Sequence, residues 1–300
     1  MSGTVEHKIL VTGGTGQVGL ELQRLTWPEG VTLLAPGRDE LDLASRETIA
    51  AWFAGKDISC IINSAAYTAV DLAEDNVAEA FAANALGPAL LADVARERDI
   101  PLLQVSTDYV FNGSLDRAYR EDDPVAPLGV YGASKLAGEL AVRTGAPRHV
   151  ILRTAWVISS QRNNFLKTML RLAGERPELG VVGDQHGCPT SAADIAATLA
   201  AIAMAHIADA SAPCGTYHFV NAGNTTWHGL AEAIMAASRD CGGPAVPVNA
   251  IGSDAFPTKA RRPANSMLDT GKLQRDFGIV PQPWQDIVKQ IVGELSLRPQ

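Results

Sequence analysis

Tyr131 and Lys135 stand four residues apart in "VYGASKLAGE" (130–139), which pairs a phenol with an ammonium. Four residues is about one helical turn, so both side chains project from one face, roughly 6 Å apart along the axis. Carbonyl reduction needs such a pair, because hydride goes to carbon and a proton to oxygen. A tyrosine with a pKa of about 10 exchanges protons poorly near neutrality, and a neighbouring lysine cation favours the phenolate. The lysine can also hold a nicotinamide ribose. The plain alternative is a solvated surface pair, so the reading depends on what else the chain brings to that face.

Two further stretches supply the rest of such a site. "VTGGTGQVG" follows an apolar run and opens a helical one, with Gly13, Gly16 and Gly19 in G-x-x-G-x-x-G spacing. Bare backbone there lets a pyrophosphate approach, and the helix N-terminus offers unpaired N–H groups. "VSTDYVFNG" sets Ser106, Thr107 and Asp108 at the end of another apolar run, where a threonine hydroxyl could orient a substrate oxygen. The tip of the second run reads Ala35, Pro36, Gly37, Arg38, with no carboxylate; Arg38 tilts the cofactor toward NADPH, with NADH tolerated. Asp42 and Leu43, in "LDL", could flank the adenine. The small Ser64, Ala65 and Ala66 would let a dinucleotide lie across the strand ends, although close packing of strand on helix asks for the same residues.

The elements that must hold these groups are legible as an alternation. The runs "KILVTG", "VTLLAP", "SCIINSAA", "PLLQVSTD" and "HVILRTAW" are apolar nearly throughout and read as strands covered on both faces. Between them "QVGLELQRLT", "SRETIAAWFAG", "NVAEAFAANALGPALLADVARERD" and "VYGASKLAGELAVRTG" read as helices. The expected fold class is therefore α/β, a doubly wound, Rossmann-like parallel sheet with a smaller C-terminal substrate-binding region. Residues 1–156 would form the dinucleotide-binding domain, with segments near 190–222 rejoining it, and 157–300 mainly the substrate region.

A net charge of −8 argues against nucleic acid or an anionic membrane as the main partner. The segment "MSGTVEHKILVTGG" has no apolar signal core. The most membrane-like stretch, "IAATLAAIAMAHIADA" (195–210), is broken by His206 and Asp209 and reads as a buried helix. Four scattered cysteines without C-x-x-C fit a reducing cytoplasm rather than a zinc or disulfide framework. His186 lies two residues before Cys188 in "DQHGCPT", but a thiol–imidazole dyad forms in space, and sequence proximity does not argue for one.

The glycine loop, "STDYVF", "YGASK" and "LRTAWV" together resemble the extended short-chain dehydrogenases/reductases. More narrowly, "GQVGLELQ", "NSAAYTAVDLAE", "NNFLKTMLRLA", "DQHGCPT", "TYHFVNAG", "TTW" and "ARRPANSMLDT" resemble the dTDP-4-dehydrorhamnose reductase family over nearly the full chain. The resemblance implies reduction of dTDP-4-dehydro-β-L-rhamnose in the biosynthesis of dTDP-rhamnose and cell-surface polysaccharide. It implies Thr107, Tyr131 and Lys135 as the catalytic group. Gly16, Gln17, Val18, Asp42, Leu43, Ala66, Tyr67 and Thr68 match cofactor contacts, and Thr107, Asp108 and Trp156 match sugar contacts. Asn84 matches the asparagine of the superfamily's central helix. Where some members carry an acid for a magnesium-linked dimer this chain has Ala193, although Glu21 is present; Mg2+ is therefore not expected, and a homodimer stays open.

A nucleotide-sugar substrate brings a diphosphate, for which Arg261 and Arg262 are candidates, with Arg162, Lys167 and Arg171 behind them. Asn163, Asn164 and Phe165 could contact base or sugar, or merely cap the next helix. Among rivals, a 4,6-dehydratase would place Asp-Glu after the fourth-strand threonine, whereas Asp108 is followed by Tyr109. A 4-epimerase shares the Tyr/Lys pair but retains its NAD, and a non-catalytic regulatory subunit would need none of the three catalytic residues.

Overall fold

Strands apolar at nearly every position need cover on both faces, and this chain provides it with two layers of helices. A computed structural model describes residues 6–297; the first five residues of the N-terminal segment read above lie outside them. Six parallel strands form the central sheet: β1 (His7–Thr12), β2 (Val31–Leu34), β3 (Cys60–Asn63), β4 (Leu102–Thr107), β5 (His149–Thr154) and β6 (Gly215–His218). Their spatial order is β6-β5-β4-β3-β1-β2. The chain runs outward from β1 to β2, then crosses back to β3, so the winding reverses between β1 and β3 and opens a crevice at their carboxyl ends. The register pairs Thr12 with Asn63, Asn63 with Gln104 and Thr107 with Thr154, which brings the ends of four strands to one edge.

On one face Ile9, Val11 and Ile62 pack against Val18 and Leu22 of α1 (Gln17–Arg24) and against Ile195, Leu199 and Ile202 of the helix Ala192–Ala208. On the other, Leu10, Ile61 and Ile151 meet Ile49 and Phe53 of α2 (Arg46–Phe53), Leu90 and Leu91 of α3 (Val77–Arg98) and Val142 of α4 (Val130–Gly145). A second core, built around Leu166, Leu230, Ile234, Ile287 and Ile291, joins the helices Phe165–Ala173, Trp227–Asp240 and Trp284–Ser296. Beside it, Leu179–Val182 pairs with Val248–Ile251.

Two details differ from the sequence reading. The run that by length and composition could cross a membrane is Val77–Arg98 rather than 195–210; here it is the α3 layer against the sheet. The second is that α3 is not regular. Residues Ala82–Leu86 form a π-helical turn. Pro88 has no N–H to give the carbonyl of Asn84, so the normal i to i+4 ladder fails there and one residue is accommodated by widening. The widened turn meets α4 at Gly138, where a Cβ would stand 2.1 Å from the Asn84 carbonyl oxygen. Gly138→Ala should therefore cost about 1–3 kcal/mol, the scale of overpacking, read as a lower thermal midpoint. An unchanged midpoint would mean that the two helices separate without strain.

Candidate active site

The glycine loop leaves β1 with Gly13 at φ +72°, and a Cβ there would stand 2.6 Å from the Ala65 nitrogen. Glycine alone satisfies both conditions. Its carbonyl accepts from Gly16 N–H at 2.9 Å, and Gly19 is buried against the same turn. Gly16 is the N-cap of α1 and offers no side-chain oxygen, so the helix's first N–H groups face the crevice without a protein cap. That is a cradle shaped for a pyrophosphate. Val18 is buried beneath it, while Gln17 Oε1 accepts from Ser159 Oγ at 2.8 Å and from Asn164 Nδ2 at 3.0 Å. Arg38 is exposed in the turn after β2, clear of side-chain partners among the described residues, and Asp42 Oδ1 accepts from Ala44 N–H.

The opposite wall is held by Asn84. From the widened turn of α3 its Oδ1 accepts from Tyr67 N–H at 2.8 Å, and its Nδ2 donates to the Tyr67 carbonyl at 3.0 Å and to Ser134 Oγ at 3.0 Å. Ser134 donates in turn to the Tyr131 carbonyl at 2.8 Å. One buried amide thereby fixes both the strand-end segment Ala65–Thr68 and the first turn of α4. Glu74 Oε1 accepts from Val130 N–H at 2.8 Å and supplies the acid at that helix start which the sequence reading missed.

At the end of β4, Thr107 Oγ1 donates to Asp108 Oδ1 at 2.9 Å and accepts from Tyr109 N–H at 3.2 Å. Burial pushes the Asp108 carboxyl up to about 6, against the pull of Ser266 and Thr107. Tyr131 lies edge-on to Tyr109, with ring centroids 5.6 Å apart. Burial pushes its phenol up to about 12; the Thr107 hydroxyl beside it works the other way, and the Asp108 charge adds to the rise. The lowering of the phenol pKa expected from a lysine cation does not outweigh burial in this arrangement. Lys135 Nζ instead donates to the Val105 carbonyl at 2.7 Å, and burial brings the ammonium down to about 8.

Substrate-side residues fall differently from the sequence reading. Trp156 has φ +46°, with its ring stacked 3.6 Å from Trp227, and Gly187 packs so closely that a Cβ would stand 2.3 Å from the Trp156 ring. Asn164 caps the helix Phe165–Ala173 through Lys167 N–H, the capping reading, and its amide also donates to Gln17 of the glycine loop. Arg262 forks onto Asp71 at 3.1 and 2.8 Å and holds that carboxyl below the usual carboxylate range. Its neighbour Arg261 is exposed and lines a cavity of about 430 Å3 with Asp184, Gln185, Ser253, Phe256 and Thr258. Arg262 lines the same cavity; the stack of Trp227 on Trp156 and the grouping around the cavity were beyond sequence reach, because both depend on contacts between distant loops.

A phenol and an ammonium one turn apart, opening onto a dinucleotide loop at the switch point of a parallel sheet, make this an extended short-chain dehydrogenase/reductase, an NAD(P)H-dependent oxidoreductase. Residues 7–297 match the family described as "RmlD substrate binding domain". The dTDP-4-dehydrorhamnose reductase of Sinorhizobium fredii is 42% identical over 291 residues, covering 97% of this chain and 98% of that protein. The Clostridium acetobutylicum dTDP-4-dehydrorhamnose reductase structure superposes with a TM-score of 0.90 at 33% identity, covering 97% of this chain and 100% of that one. The Bacillus anthracis dTDP-4-dehydrorhamnose reductase, solved with NADP, gives 0.89 at 32% identity and the same coverage. The chain belongs to the dTDP-4-dehydrorhamnose reductase family.

With the phenol at about 12 and the ammonium at about 8, the group that titrates first above neutrality is Lys135. Lysine is charged below its pKa and neutral above it, so kcat/KM for reduction should fall as pH rises through about 8. A profile level between about pH 7 and about pH 10 would remove the Lys135 charge from the rate.

Proposed function

We propose that the protein reduces the 4-keto group of dTDP-4-dehydro-β-L-rhamnose to dTDP-L-rhamnose, with NADPH, or NADH, as hydride source, and that Tyr131, Lys135 and Thr107 carry the reaction. The observation that carries this reading is the shared crevice. Thr107 ends β4 beside Tyr131, at the same carboxyl edge of the sheet from which the glycine loop leaves β1 for the uncapped N-terminus of α1, in a chain of this family. Gly13, Gly16, Gln17, Val18 and Gly19 would hold the cofactor's pyrophosphate, and Asp42, Leu43 and Arg38 its adenosine end. Ala65, Ala66, Tyr67 and Thr68 would line the remaining groove. The bound nicotinamide supplies hydride to carbon 4 of the sugar.

The chain's own groups manage the oxygen. Tyr131 keeps its proton through the neutral range and donates it from Oη as charge develops on the sugar oxygen. The Lys135 ammonium, fixed by the Val105 carbonyl, offsets negative charge on the phenolate left behind. Thr107 orients the sugar oxygen, its own Oγ being set by Asp108 and the Tyr109 amide. Asp108 and Trp156 would flank the sugar. For the diphosphate, both Arg261 and Arg262 line the cavity, but Arg262 is engaged by Asp71, which makes Arg261 the guanidinium to bind phosphate oxygens. Asn164 acts through Gln17 on the cofactor loop.

The reading extends to a cytoplasmic setting, without a nucleic-acid or membrane partner and with a second copy of the chain as the open partner. The net charge of −8 and four free thiols support it. Tyr131→Phe should lower kcat about a hundredfold or more with NADPH binding kept, measured as NADPH oxidation with dTDP-4-dehydrorhamnose and NADH run in parallel. Near-normal turnover would overturn Tyr131 as the acid. Arg261→Ala should raise KM for the nucleotide sugar by about tenfold or more while leaving kcat within a few-fold. An unchanged KM would return the phosphate to Arg262.

A further inference from the structure

The face of α4 that presents Tyr131 and Lys135 carries a third polar group one turn further on. Glu139 is at 0% exposure, Lys135 at 4%, and Arg153, which reaches Glu139 from β5, at 1%. Arg153 Nε donates to Glu139 Oε1 at 2.8 Å and Nη2 to Oε2 at 2.7 Å, while Ser106 Oγ, next to Thr107, donates to Oε1 at 2.6 Å. Burying an ion pair costs more desolvation than a packed apolar pair of similar volume would, so stability alone is a poor reason for this one. A buried ammonium, in contrast, needs a nearby anion. Glu139 is the charge that favours the Lys135 ammonium against burial.

We propose that Glu139 is a positioning residue for the proposed reaction: clamped by Arg153 and Ser106, it is the counter-ion that holds the Lys135 ammonium charged beside Tyr131. The inference rests on the catalytic reading of Tyr131 and Lys135 given above. Charges then alternate down the face as Lys135 positive, Glu139 negative, Arg153 positive. The surrounding groups leave that alternation intact. From α4, Arg143 stands 3.9 Å from Glu139 Oε2 at the exposed end. From β6, His218 contacts Arg153 Nη1 at 3.4 Å, and burial beside Arg153 brings its imidazole down to about 3. It is therefore neutral, donating from Nδ1 to the Tyr119 carbonyl and accepting at Nε2. Glu121, which accepts from His218 N–H, and Asp123 lie behind the histidine rather than against Lys135. The Arg153 guanidinium is backed by the Phe111 ring, 5.0 Å away.

Removing one charge from an alternating row has a definite sign. In Glu139→Gln, Lys135 loses its anion and faces Arg153, so the basic limb of kcat/KM should move to lower pH by about one unit or more. Arg153→Gln should move the limb up, since Glu139 then answers to Lys135. A purely structural clamp would lower activity evenly without moving the limb. If either single change prevents folding, the double variant Glu139→Gln/Arg153→Met, which removes both buried charges, tests the same point. It too should show the limb lowered. A limb unmoved in the folded variants overturns the inference. Lys135→Met and Tyr131→Phe are run beside them: if these keep turnover, the catalytic reading itself fails, and if only the Glu139 variants keep the normal limb, the inference alone fails.

Discussion

Pro88 cannot donate a hydrogen bond, and the turn of helix before it must find another way to close. The widening at Ala82–Leu86 is that solution, and it turns Asn84 inward at 1% exposure. From there a single carboxamide binds the Tyr67 backbone on one side and Ser134 on the other. The Ala65–Thr68 segment and the helix that carries Tyr131 and Lys135 are thus referenced to one another through one side chain rather than each to the sheet alone. The position of Tyr131 relative to the groove follows from that tie, and the absence of a side chain at Gly138 permits the approach on which it depends.

The period of the apolar runs made the sheet and its covering helices legible, because strands buried on both faces leave no polar alternation to confuse them. The placement of Tyr131, Lys135, Thr107 and the glycines could be read for the same kind of reason: each is local, set by spacing on one helix or at one strand end. What escaped was pairing at a distance. Arg262 reads as a guanidinium without a partner, whereas Asp71, 191 residues away, takes its fork. Arg153 and Glu139 look like ordinary charged positions on a strand and a helix, and only the register of β4 and β5 under α4 sets them against each other. The π turn had a local signal in "NALGP", since a proline inside an apolar helix demands a defect.

The lysine's environment also separates two roles that spacing alone merges. One turn of helix brings phenol and ammonium to the same face, yet Nζ is bound by the Val105 carbonyl and the phenol is raised by burial. In the proposed reaction the ammonium would be an electrostatic partner of what the reaction leaves behind rather than a device that ionises the tyrosine in advance. Keeping the phenol protonated suits the direction of reduction, in which the acid must still hold its proton when the sugar oxygen needs it.

Trp156 has a backbone conformation that a bulky residue adopts only under constraint, at a cost on the order of 1–3 kcal/mol. Its ring is caught between Trp227 and Gly187, which hold it there. Truncating a packed tryptophan costs about 3–5 kcal/mol, so the stacked ring more than offsets the strain of its backbone. Strain and stack are therefore one device: relieving the backbone by removing the ring would unfasten the segment after β5 from the helix Trp227–Asp240, so this stretch trades local comfort for a fixed joint between the two cores.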